Sequence, residues 1–245
     1  MVSRLHGHAQ RASEPGIERG NKELPVEDRD ERQIEKAVTD RTKALLPVHW
    51  AGLAPNLPEI MEIAGRLGLS VIEDSCLALG GKVDGRPAGS AGHMAAFSLH
   101  PLKPVHVWGD GGALVTDDDE AARWLRLYRN HGMINRDEIE IWGHNSRLDS
   151  LQAVVAIRLL KEVHHITDSR IANAKKFDDA FSELDGYITI PPRLPNIKQV
   201  YHTYVIHAKE RDKLVSHLLE NGVSAKVHYP IPLHLQNAAA DLGYK

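Results

Sequence analysis

Phe97-Ser98-Leu99-His100-Pro101-Leu102-Lys103 runs through a loop into Gly109-Asp110-Gly111-Gly112 and then the apolar Ala113-Leu114-Val115-Thr116. Upstream stands a second apolar run that ends in a carboxylate, Val71-Ile72-Glu73-Asp74. These runs predict strands at 69–73, 94–98 and 112–116, with Asp74 at a strand end and Lys103 in a loop between two strands. Each residue also has an ordinary reading. A lone loop lysine is a solvated charge, and an aspartate after a strand serves a turn or a helix cap. Together they meet two requirements of pyridoxal phosphate chemistry. An amine must bond the cofactor aldehyde, and a carboxylate must keep the pyridine nitrogen protonated so that the ring accepts electrons.

The surrounding chain predicts the frame for this pair. Ile34, Ala37 and Val38 share one helical face within 31–39, and 44–50 reads as a short buried strand. Asn56 stands where a cap belongs for a helix through Leu67, with Pro58 in its first turn and Gly68 at its stop. Ala121, Ala122 and Leu125 give a helix over 118–128; the acids of Asp117-Asp118-Asp119-Glu120 sit at its start, where they complement the helix dipole. Strands alternating with helices argue for an α/β domain with a largely parallel sheet, whose ligands sit at the carboxyl ends of strands. After Arg147 the pattern changes. Long amphipathic helices are expected over 148–160 and 166–184, strands at 187–190, 201–208 and 223–228, and a helix over 211–220 followed by Gly222. The expected division is a poorly ordered lead-in over 1–29, a partial cofactor-binding domain over 30–147, and linking helices with a partial α+β domain over 148–245.

Composition bounds the alternatives. The 245 residues are 42% apolar and 26% charged, a globular balance. A net charge of −3 with scattered Lys and Arg leaves no electrostatic footprint for nucleic acid. No apolar run reaches the roughly 20 residues of a membrane span. Cys76, the single cysteine, cannot form an internal disulfide and suits a reducing cytoplasm, where it reads as a small buried filler. The histidines offer no set at metal spacing: His164-His165 point to different helix faces, and His228 and His234 lack a third ligand.

Further motifs follow in a fixed order: Arg129-Asn130-His131-Gly132, Gly143-His144-Asn145-Ser146-Arg147-Leu148 and His228-Tyr229-Pro230-Ile231-Pro232-Leu233-His234. With Val71–Asp74, Phe97–Lys103 and Gly109–Gly112 above, they make the chain from about Glu31 to its end resemble the DegT/DnrJ/EryC1/StrS family of pyridoxal-phosphate sugar aminotransferases. The resemblance implies an aspartate-aminotransferase-like fold (fold type I) and a cofactor bound through Lys103, which also shuttles the proton. It implies Asp74 at the pyridinium nitrogen and Ser98 at the cofactor phosphate. It implies Asn145 reaching the phosphate of the neighbouring subunit in a homodimer, and His228 and Tyr229 near the substrate. Members of the family carry further residues at both ends, so the chain is expected to be shortened at both.

Two positions depart from the family. Its usual Gln three residues after the aspartate is Leu77 here, and a usual His two further on is Leu79. Leucine donates no hydrogen bond to the cofactor's phenolic oxygen, so cofactor tuning or substrate choice is expected to differ. The glycines at 109, 111 and 112 permit close backbone approach but form neither G-x-G-x-x-G nor a Walker loop.

The function implied is transfer of an amino group from glutamate or glutamine to a nucleotide-linked keto-sugar. One rival is a dehydratase of the same fold, in which a histidine commonly replaces the Schiff-base lysine. Another is a non-catalytic remnant or partner subunit. A nicotinamide-binding Rossmann domain fits the strand alternation but lacks the glycine fingerprint.

Overall fold

The computed structural model describes Glu31 and residues 33–243. The lead-in expected over 1–29 lies outside the described residues. The chain forms two compact units. One runs through Ala180 and takes in Pro191–Val205, and the other comprises Phe181–Ile190 and the residues from Ile206 onward.

In the first unit come α1 (Gln33–Ala37), β1 (Ala44–Leu45), α2 (Leu57–Leu67), β2 (Ser70–Asp74), β3 (Lys82–Val83) and β4 (Arg86–Pro87). They are followed by β5 (Met94–Ser98), β6 (Gly112–Val115), α3 (Asp119–Tyr128), α4 (Ser150–Leu160) and α5 (Val163–Phe181). The main sheet has the order β1-β2-β5-β6. The first three strands are parallel and β6 runs antiparallel to β5. Register sets Asp74 beside Ala96 and Ser98 beside Gly112. A smaller sheet, β4-β3-β8, is completed by β8 (Ile197–Lys198).

Because strand side chains alternate, β2 turns Val71 and Glu73 to one face and Ile72 and Asp74 to the other. The first face is covered. Val71 packs with Ile60 and Ala64 of α2 and with Leu69, and Ile34, Val38 and Leu45 lie against them. Burial of such aliphatic side chains stabilises the fold by about 1.5–3 kcal/mol each. At the stop of α2, Gly68 adopts φ 63°, and its N–H meets the carbonyls of Ala64 and Gly65. Asn56 precedes α2 but its side chain does not cap the helix; its Nδ2 donates instead to Glu59 Oε2 at 2.8 Å. Asp118 does cap α3, accepting from the Ala121 N–H at 3.0 Å.

Several expected elements differ. The strand expected over 44–50 is two residues long, extended by a bridge between Val48 and Asp74. Leu46 and Val48 are exposed rather than buried, and Pro47 has no N–H to give a ladder. The strand expected over 201–208 shrinks to β9 (His207–Ala208), because Tyr201 turns to φ 49°. The Arg170 guanidinium takes the Tyr201 carbonyl at 2.9 Å, which satisfies that backbone without a ladder. α4 is apolar on both sides rather than amphipathic: Ala156 is buried while Leu151, Val154 and Ile157 stand exposed.

The second unit holds β7 (Ile188–Thr189), β9 and α6 (Arg211–Glu220). β7 and β9 pair antiparallel. Gly222 sits just past α6, its N–H reaching the Leu219 carbonyl at 3.1 Å. The strand expected over 223–228 does not form; these residues have no ladder partner among the described residues.

Ile60→Ala is expected to cost about 2–5 kcal/mol, since it empties space between α2 and β2. Leu67→Ala, on the same helix but exposed, should cost less than about 1 kcal/mol. Urea unfolding midpoints of the two variants check the ranking.

Candidate active site

The carboxyl ends of β2 and β5 carry the expected pair and its neighbours. Asp74 is fixed through its backbone: its N–H donates to the Pro47 carbonyl at 2.9 Å, and its carbonyl accepts from the His49 N–H at 3.0 Å. One side-chain oxygen accepts the Cys76 N–H at 3.1 Å. Ser98 lies on the same face of the sheet as Asp74, since it follows Ala96, Asp74's register partner, by one full pleat. Its Oγ accepts a long bond from the His100 N–H at 3.3 Å.

The lysine loop is anchored on both sides. Val105 and Val107 are buried with Leu99 and with Ala156 of α4, and Leu79 packs against the same cluster. Leu79 is thus half-buried and serves packing. The Val107 N–H returns to the Leu99 carbonyl at 2.8 Å, and the Lys103 N–H donates to the His100 carbonyl at 2.8 Å. His106 Nδ1 lies 3.2 Å from the Lys103 carbonyl, and the Leu102 N–H donates to His100 Nδ1 at 3.1 Å. Pro104 further restricts the Lys103 backbone to extended conformations. The side chain of Lys103 is half-buried.

Among the described residues, no ion pair joins Asp74 to Lys103, and neither pairs with another charge. The half-buried Cys76 thiol feels both. Burial pushes it up to about 11, Asp74 adds to the rise and Lys103 opposes it. Its Sγ contacts the Ala96 carbonyl at 3.7 Å. The donor set thus fits pyridoxal phosphate: a half-buried amine and a half-buried carboxylate lie within electrostatic reach of one thiol, and neither is paired with an opposite charge among the described residues. Leu77 is half-buried next to Cys76 and offers no polar group.

Gly109, Gly111 and Gly112 serve close packing. A Cβ at Gly111 would come within 2.9 Å of Val107 and one at Gly112 within 2.9 Å of the Phe97 carbonyl. Asn145 stands apart, exposed, in an arm where it bridges Asn130. Arg147 ties the two together, donating to Asn145 Oδ1 and to Asn130 Oδ1, each at 3.1 Å. Asn145 caps no helix; α4 begins after Asp149. His228 and Tyr229 belong to the second unit, with their rings stacked at 4.1 Å.

A pair that sequence reasoning missed lies on the opposite face of β2. His49 and Glu73 are both fully buried, with Nε2 and Oε2 3.0 Å apart in an angled contact. Glu73 also accepts the N–H groups of Gly89, Ala91 and Gly92. Burial alone would push its carboxyl up; the His49 ring and these three donors hold it below the usual carboxylate value. Strand alternation is the signal that could have found it, since a Glu beside an outward Asp must face the core.

The sequence profile of the DegT/DnrJ/EryC1/StrS aminotransferase family matches residues 28–245. A pleiotropic regulatory protein of Geobacillus stearothermophilus is 39% identical over 217 residues, covering 88% of this chain and 58% of its own length. A dTDP-3-amino-3,4,6-trideoxy-alpha-D-glucose transaminase of Streptomyces venezuelae is 40% identical over 207 residues, 84% of this chain and 54% of that protein. The crystal structure of S. venezuelae DesV in complex with a ketimine intermediate superposes with a TM-score of 0.81 at 40% identity, over 86% of this chain and 57% of that one. The fold is therefore the aspartate-aminotransferase-like α/β fold, type I, as the sequence led one to expect. The chain spans a little over half the length of these relatives.

With its thiol raised to about 11, Cys76 holds about a hundredfold less thiolate at pH 8 than an ordinary cysteine. Iodoacetamide should label the native chain about that much more slowly than the urea-unfolded chain. The native rate should keep rising up to about pH 11. A native rate that levels off near pH 9 would contradict the raised value.

Proposed function

The chain belongs to the DegT/DnrJ/EryC1/StrS aminotransferase family, and from that membership we propose that it carries the lysine and aspartate of a pyridoxal-phosphate site that aminates a nucleotide-linked keto-sugar. The observation that supports this most is the pair of half-buried, mutually unpaired groups, Lys103 and Asp74, at the carboxyl ends of adjoining strands. Glutamate or glutamine is the proposed amino donor. When bound, the cofactor supplies a carbonyl that captures the donor's amine and a ring that takes up electrons.

The chain's own residues do the rest. Lys103 Nζ holds the cofactor and then takes and returns the proton at the reacting carbon. Asp74 keeps a proton on the ring nitrogen through a charged hydrogen bond, stronger in a partly dry site than at a surface. Its second carboxylate oxygen is left over once the Cys76 N–H has taken the first. Ser98 offers its hydroxyl to the cofactor phosphate, and Leu77 lines the ring without donating a hydrogen bond. His228 and Tyr229 are the proposed substrate contacts. The lysine favours transamination over dehydration by the same fold. A nucleotide-sugar substrate suits a cytoplasmic enzyme, and no described helix is long and apolar enough to cross a membrane.

The working unit is proposed to be a homodimer in which Asn145 serves the neighbouring subunit's cofactor phosphate. Exposed apolar groups along the same arm, Ile134, Ile139 and Trp142, suit a surface that meets a partner.

Two outcomes are expected. Borohydride reduction after addition of pyridoxal phosphate should fix the pyridoxyl group on Lys103, read by peptide mapping, and Lys103→Ala should abolish the label; labelling at another lysine would contradict the assignment. Mixing Lys103→Ala subunits with Asn145→Ala subunits should restore part of the transaminase activity, because one site of the mixed dimer then carries no lesion. Verified subunit exchange without recovery would place Asn145 in its own subunit's site.

A further inference from the structure

His49 and Glu73 are the buried ionisable side chains among the described residues, and the proposed reaction uses neither. Glu73 Oε1 accepts from Ala91 N–H at 2.8 Å and from Gly92 N–H at 2.6 Å. Oε2 accepts from Gly89 N–H at 2.9 Å and faces His49 Nε2 at 3.0 Å. Only a group that accepts at every position can satisfy these three N–H donors, while the His49 ring packs against Oε2 without hydrogen-bond geometry. The loop is shaped to approach it. Gly89 has φ +84°, and a Cβ there would collide with the Phe97 ring; at Gly92 a Cβ would stand 2.9 Å from the Val71 carbonyl.

His49 touches two consecutive residues of β2 by different groups. Its ring meets Glu73 on the covered face, while its backbone N–H donates to the Asp74 carbonyl at 3.0 Å. The Asp74 N–H in turn donates to the Pro47 carbonyl at 2.9 Å. The strand end that presents Asp74 is therefore clamped to the 47–49 segment by two backbone hydrogen bonds, and the His49 ring of that segment lies against the Glu73 carboxylate. With only two residues in β1, little other ladder holds it there.

We propose that Glu73 is a positioning residue for Asp74: from the covered face of the sheet, its carboxylate fastens the 89–92 loop and the 47–49 segment and so fixes the strand end from which Asp74 projects. The inference takes its functional meaning from the reading of Asp74 given above, but the clamp can be tested without it.

Amide hydrogen exchange on the chain without cofactor is the first arm. Glu73→Gln replaces one acceptor oxygen by a donor. It should speed exchange about tenfold or more at Gly89, Ala91 and Gly92, and also at His49 and Asp74, with α6 amides unchanged. His49→Leu keeps the three loop bonds and serves if the glutamine variant fails to fold. It should speed exchange at the backbone amides of positions 49 and 74 while the loop amides hold. A uniform rise across the first unit, or loosening of the loop with Asp74 unaffected, overturns the proposal. The second arm is the absorbance of added pyridoxal phosphate across pH. If the wild-type chain develops a band, its pH midpoint should move in His49→Leu, which a purely structural role would leave in place; an unmoved midpoint overturns the proposal. If the wild-type chain develops no band, the cofactor reading fails and the exchange pattern alone decides the clamp.

Discussion

One pleat of β2 divides a carboxylate enclosed by hydrogen bonds from one that accepts a single N–H. Glu73 turns to the face covered by α2 and the 89–92 loop, where an imidazole and three backbone N–H groups surround it. Asp74 turns to the other face with one N–H on its carboxylate and no cation paired with it among the described residues. A buried carboxylate without such partners would be expensive, and its ordinary response would be to take up a proton. Its bonds keep it ionised, and the segment that supplies the imidazole also grips the Asp74 backbone.

The lysine loop follows the same logic by apolar means. Val105 and Val107 are driven into the cluster formed by Leu99 and Ala156, and the turn just before them carries the half-buried Lys103. Two prolines and two histidine rings reduce the conformations open to that turn. The sheet thus brings an amine and an acid to one edge from separate anchors, without letting them neutralise each other. The apolar outer side of α4 and Leu114 of β6 remain exposed.

The sequence made the central elements legible where local pattern and tertiary packing agree. Met94–Ser98 and Arg211–Glu220 formed with the bounds their periodicity predicts, and α2 stopped at its glycine. It failed where apolar character lacked a partner. The 44–50 run looked buried, yet Leu46 and Val48 are exposed, and 223–228 has strand-like residues without a neighbouring strand. Tyr201 could not be foreseen either, since its positive φ is held by an arginine distant in sequence. At the candidate site, the pair Asp74 and Lys103 was visible from strand ends and loop position. Strand alternation pointed Glu73 to the covered face, but nothing local named His49 as its neighbour, because the two are 24 residues apart in sequence.

The most direct test of the account is the protonation state of the cofactor ring on the chain. With pyridoxal phosphate labelled with ¹⁵N at the ring nitrogen, the bound signal should show a protonated nitrogen at neutral pH in the wild-type chain and a deprotonated one in Asp74→Ala. A ring nitrogen that is unprotonated in the wild type, or whose signal does not change when Asp74 is removed, would contradict it.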